Sequence, residues 1–144
     1  MNKSNRFLFS FIGLIVSQII MSLEEVVGRY PEYLTLFTEK LHDKIPAFPV
    51  IYISGPVFMF SSLILIIILF VFLGLVFIES KWSRIFAVTL GIFEIINGGF
   101  HIFASIYYFK YIPGSITAVI VIIFSLLIII FKPVAQQTEP EETQ

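Results

Sequence analysis

The sequence predicts an all-α polytopic membrane protein: a four-helix transmembrane bundle with a short interfacial amphipathic helix after the first span. Three observations carry that expectation. Four long apolar runs are separated by charged or turn-forming residues. Only 13% of the residues are charged, against about 25% in a typical soluble domain. Mean hydropathy is +0.97, and a membrane helix needs about 20 predominantly apolar residues, which the runs approach or exceed. Residues 1–135 are expected to form one domain, since short connections leave no room for a second core.

The first span is expected at residues 7–23, preceded by Lys3 and Arg6 and closed by Glu24-Glu25. A signal peptide has the same basic-then-apolar layout. It would need a small-x-small cleavage site, and Gln18, Met21 and Leu23 occupy that place, which favours an uncleaved helix.

The connection over residues 26–54 is the long one. Leu34, Phe37, Leu41 and Ile45 recur in it at helical spacing, while Glu39, Lys40, Asp43 and Lys44 line another face. Pro31 stands where a helix start tolerates proline. The pattern predicts an amphipathic helix that lies in the interface or caps the bundle, and in either place could roof a site. His42 reads as a solvated loop residue. Residues 45–54, with two prolines, read as extended or re-entrant.

The second span, residues 57–78, is nearly pure Ile, Leu, Val and Phe and is expected to face lipid. The third, residues 85–108, ends in Tyr107-Tyr108-Phe109 beside Lys110, and Trp82 stands at its opposite end. Such aromatic residues favour the membrane–water boundary. Ile112-Pro113-Gly114-Ser115 predicts a tight turn into the fourth span, residues 116–131, which Lys132-Pro133 stops. Residues 136–144 predict a disordered acidic tail. Five basic residues on the side of the termini face four on the other, which places both termini in the cytoplasm under the positive-inside rule, with the plasma membrane as the expected location.

Composition also excludes. A net charge of −1 gives no basic stripe for nucleic acid, and the absence of cysteine removes disulfides, thiolate metal sites and thiol catalysis. No nucleophile motif, phosphate loop or dinucleotide-binding glycine pattern is present.

The informative feature is Glu94, Asn97 and His101 in the third run. Positions i, i+3 and i+7 share one face of a helix. An ionisable group at the centre of a membrane helix costs roughly 2.5–3.5 kcal/mol, so it needs a partner or a task. The first and third spans run in the same direction from basic anchors at Arg6 and Arg84. At about 1.5 Å per residue, Gln18 then stands level with Glu94 and Asn97, and Glu24-Glu25 stand level with His101. If the two spans are neighbours, their polar groups meet in two layers. Gly91 and Gly98 continue the helix-three face as a packing seam.

Met21-Ser22-Leu23-Glu24-Glu25 and Glu94-Ile-Ile-Asn97-Gly-Gly-Phe-His101 together resemble the HXXEE domain family of small multi-span membrane proteins, with Met21 standing where the motif has histidine. The resemblance implies a membrane bundle and does not name an activity. A histidine from each of two helices plus carboxylates would be a credible metal set, akin to bundle di-metal sites. Here Glu24, Glu25, Glu94 and His101 are the residues left that could hold a hard or borderline divalent ion, and the soft thioether of Met21 suits one poorly.

These residues admit three functions. In the leading one, Glu94 and His101 are an acid/base or ligand pair, and Gln18, Met21 and Asn97 help bind a small lipid-soluble ligand, with or without the metal. In the second, the protein is a transporter or channel subunit, working as a homo-oligomer, with Glu94 carrying a proton or cation. In the third it is a structural or accessory protein whose polar residues only join helices: His101 and Asn97 would be interhelical hydrogen bonds and Glu24-Glu25 a solvated helix end. The expected partners are the lipid bilayer, such a ligand and, in the second reading, further copies of the chain.

Overall fold

A computed structural model of the chain describes residues 3–78 and 81–131, and among them every regular element is helical. The helices are α1 (Lys3–Val27), α2 (Tyr30–Lys44), α3 (Gly55–Phe77), α4 (Lys81–Tyr108) and α5 (Ser115–Phe131). Three of them contain a segment long and apolar enough to cross a membrane: Ser4–Val27, Gly55–Phe77 and Ile85–Tyr108. The expected stop at Lys132-Pro133 and the acidic tail at 136–144 lie outside the described residues.

The expected first span ends too early. Glu24 and Glu25 continue α1 to Val27. No helix breaker separates them from the apolar run, and both carboxylates find partners in the fold. Gly28 and Arg29 then form a turn that ends α1, with Arg29 in the left-handed region at φ 56°. Pro31 follows in the first turn of α2, where its missing N–H costs nothing.

The amphipathic helix forms as α2. Phe37 is buried and packs edge-on against Phe100, with centroids 5.0 Å apart, and against Tyr108 at 5.9 Å. Ile45 does not belong to the buried face. It lies beyond the helix end and is 53% exposed. His42 sits in the last turn of α2 rather than in a loop, with Nδ1 2.7 Å from the Phe48 carbonyl. Residues 45–54 are not helical and fold back along α2. Thr38 Oγ1 accepts from the Ile51 N–H at 3.0 Å, and Thr35 Oγ1 donates to the Ile51 carbonyl at 3.0 Å.

The four longer apolar helices make a ring. α5 packs along both α4 and α1, and α3 closes the other side against α1 and α4. Thus α1 and α4 stand at opposite corners rather than side by side. The glycine seam of α4 accordingly faces α5. A Cβ on Gly98 would lie 2.9 Å from Ile122 Cγ1 and 3.2 Å from the Ala118 carbonyl oxygen. Gly91 lies against Ser125 in the same way.

Each helix buries one stripe. On α1 it is Phe11, Leu14, Gln18, Met21 and Glu25; on α5 it is Ala118, Val121, Ser125 and Ile128. On α4, Ala87, Gly91, Glu94, Gly98, His101 and Ala104 recur every three or four residues, so small side chains alternate with two ionisable ones. By contrast α3 fully buries only Leu69 and Val76; Leu65, Phe72 and Leu73 pack partly buried beside them, and much of its remaining apolar surface is exposed.

Candidate functional site

The polar residues gather at the end of the bundle where α1, α2, the α4–α5 turn and α4 meet. His101 is fully buried, and its Nδ1 lies 3.0 Å from the Pro113 carbonyl. A carbonyl can only accept, so Nδ1 carries a proton. Nε2 faces Glu25 Oε1 at 2.9 Å, and Glu25 is itself buried. This approach lies off the line of a hydrogen bond, which leaves Nε2 without a directed partner. With Nδ1 held by the Pro113 carbonyl, Nε2 is the ring nitrogen left to exchange a proton with the Glu25 carboxyl group beside it.

Two further residues hold the ring. Tyr30 stacks on it, with centroids 4.3 Å apart and planes 24° from parallel. Burial and the nearby Glu25 charge raise the Tyr30 hydroxyl above its ordinary range, so it stays protonated. On another side, Gly114 adopts φ +91°, and a Cβ there would fall 2.8 Å from His101 Cε1 and Nδ1. Only glycine fits that turn without strain or collision.

Glu24 points elsewhere. Its carboxylate accepts from the Tyr111 hydroxyl and, at 2.5 Å, from Thr117 Oγ1. The backbone N–H groups of Gly114 and Thr117 face it as well. These are free donors at the start of α5, so Glu24 caps that helix from another helix. Loss of solvent, and then the Glu24 carboxylate, push the Tyr111 hydroxyl up to about 12.

Glu94 lies two helical turns from His101 on the same helix, and the two do not form a bonded pair. Asn97 Nδ2 donates to Glu94 Oε2 at 3.4 Å within α4, so it is not the clip between helices expected of it. Glu94 Oε1 and Gln18 Oε1 are both buried without a hydrogen-bond partner. Their height is shared. Gly13 lies on Phe124 and Glu24 on Thr117, which sets Gln18 near Val121; Gly91 lies on Ser125 and Gly98 on Ala118 and Ile122, which sets Glu94 there too. Met21 is fully buried in the apolar core.

The metal set does not assemble. Among the described residues no group of three or more His, Asp and Glu side chains converges. Glu25 and His101 meet, Glu24 is engaged by Tyr111 and Thr117, and Glu94 stands two turns away. Of the four residues, the structure thus brings only Glu25 and His101 together. Sequence reasoning missed Tyr30, Tyr111, Pro113, Gly114 and Thr117. Pro113-Gly114 read only as a turn, and nothing in a sequence shows that a turn's carbonyl faces a histidine ring.

Bundle, buried carboxylate–imidazole pair and paired glutamates at the end of α1 define a small helical protein with membrane-spanning character and an internal polar site. The chain belongs to the HXXEE family, described as protein of unknown function with HXXEE motif, which matches residues 12–129. No curated protein and no solved structure matches it.

Proposed function

We propose that the protein crosses the plasma membrane four times, with both termini cytoplasmic, and binds a small lipid-soluble ligand beside the Glu25–His101 pair, which gives or takes a proton. The fourth crossing is α5. Its 17 residues span about 25 Å, at the short end for a bilayer, but it packs along both α1 and α4 and so shares their depth. The carrying observation is the buried His101 ring, with Nδ1 locked by Pro113 and Nε2 turned to Glu25. Ionisable groups in such surroundings are costly and are functional candidates by default. Tyr30 supports a route for the ligand. Its ring stacks on His101 at 4.3 Å and also meets Phe58, a residue that lines a cleft, at 5.8 Å.

The test compares wild type with Glu25→Gln and His101→Gln, purified in the same mild detergent and matched for helix content. Organic extracts are analysed by mass spectrometry. A small apolar molecule enriched with wild type and depleted from both variants supports the proposal. Identical extracts from all three would remove it.

A second reading draws on Glu94 Oε1 and Gln18 Oε1, two buried atoms at one height without partners. They favour a proton or cation held at Glu94, with the protein acting as a transporter subunit in an oligomer. Proteoliposome flux abolished by Glu94→Gln, but not by Glu25→Gln, selects this reading over the first. The Glu24 cap on α5 supports the structural role for that residue alone.

A further inference from the structure

A half-open cleft of about 520 Å³ lies where the end of α1 meets the starts of α2 and α3. Its walls are mainly apolar: Val26, Pro31, Ile53, Phe58 and Met59. Arg29 is the cation in the lining. Its ion pair with Glu32, 3.6 Å apart with both side chains largely exposed, is of the kind that contributes little. Two helices also begin on this cleft, α2 after Arg29 and α3 after Ser54, and neither has a side-chain cap on its N-terminal N–H groups. Those ends carry partial positive charge. The polar end of the cleft is therefore electropositive, opposed by Glu32 alone among its lining residues. The volume falls within the range of about 300–1,000 Å³ usual for small-ligand sites, which suits one acyl chain better than two.

We propose that this cleft binds a single-chain anionic amphiphile of the fatty-acid type, its carboxylate on Arg29 and its chain against Phe58 and Met59. This ligand is separate from the one proposed beside the Glu25–His101 pair: neither residue of the pair lines the cleft, so binding here does not depend on it.

The position of Arg29 makes the test clean. At φ 56° the backbone favours glycine, so Arg29→Gly removes the charge without straining the turn. The full chain in a neutral detergent is titrated with tritiated palmitate, with 1-hexadecanol, hexadecyltrimethylammonium and a two-chain phosphatidylglycerol as competitors. Saturable binding of one palmitate per chain is expected, with palmitate competing about tenfold better than hexadecanol, the size of one charge-assisted contact. Arg29→Gly should lose that preference while melting no lower than wild type. Glu32→Gln should strengthen palmitate binding, and Met59→Trp should abolish it by filling the cleft. Absence of saturable binding, equal competition by hexadecanol, stronger competition by the two-chain lipid, or an unchanged preference in Arg29→Gly would each overturn the assignment. Glu25→Gln separates the two proposals: if it keeps palmitate binding but wild type and variant yield the same extracts, the cleft stands and the proton-transfer reading fails.

Discussion

Gly114 presses its backbone against the His101 ring so closely that a single added carbon would lie 2.8 Å from two ring atoms. The same residue holds φ +91°. A turn between two helices thus sets the position of a buried titratable group on the first of them, and Pro113 in that turn fixes its tautomer.

Gly114→Ala should therefore cost stability twice, through backbone strain and through collision. A side chain forced into such a conformation costs about 1–3 kcal/mol. Unfolding in mixed micelles measures the loss. Adding His101→Ala should recover part of it, because the collision disappears while the strain remains. Full additivity of the two substitutions would show that the ring and the turn do not press on one another.

Removing one member of a buried pair leaves the other without compensation, at a cost of roughly 3–5 kcal/mol. Glu25 and His101 are both buried, so His101→Ala should destabilise by an amount of that order. The double variant Glu25→Leu/His101→Leu should be more stable than either single leucine substitution. A double-mutant cycle of melting curves decides it, and equal losses from Glu25→Leu and Glu24→Leu would contradict the different environments of the two glutamates.

Tyr111 gives a pH dependence of known sign. Its hydroxyl titrates higher in the folded state, at about 12, than in the unfolded chain, near 10. The contribution is fully present below about pH 10 and is lost as pH rises through 12. Tyr30 is raised too, so the informative quantity is the difference between proteins. Wild type should lose more thermal stability than Tyr111→Phe between those limits, and parallel pH profiles would dissociate the Glu24 cap from Tyr111 ionisation.

Neighbouring glycines on α4 should respond in opposite directions. A Cβ on Gly98 meets Ile122 and the Ala118 carbonyl, whereas nothing lies within 4 Å of one on Gly99. Gly98→Ala should loosen the α4–α5 contact and lower the melting temperature. Gly99→Ala should be neutral or stabilising by up to about 1 kcal/mol, through helix propensity alone. Thermal melts of the two variants side by side provide the measurement.

The sequence by itself determined the helical class, because runs of Ile, Leu, Val and Phe leave backbone polar groups no other way to be satisfied in an apolar medium. Periodicity was enough to mark Phe37 as the buried side of α2 and to put Glu94, Gly98 and His101 on one stripe of α4. Height along the helices was legible too, since rise per residue is constant, and it set the paired glutamates level with His101. Which glutamate turns inward was not legible. Glu24 and Glu25 differ by about 100° around α1, and only the placement of α5 decides that one caps a helix while the other meets the imidazole. Whether α1 and α4 stand side by side, the condition on which the two polar layers were argued, was not legible for the same reason. Two parallel helices can be neighbours or opposite corners with identical sequences of faces, and the choice rests on the close approach of Gly91 and Gly98 to α5. Tertiary packing alone brought Tyr30, Pro113 and Gly114 to His101, because contacts between residues far apart in the chain depend on how helices are arranged in space, which periodicity does not encode.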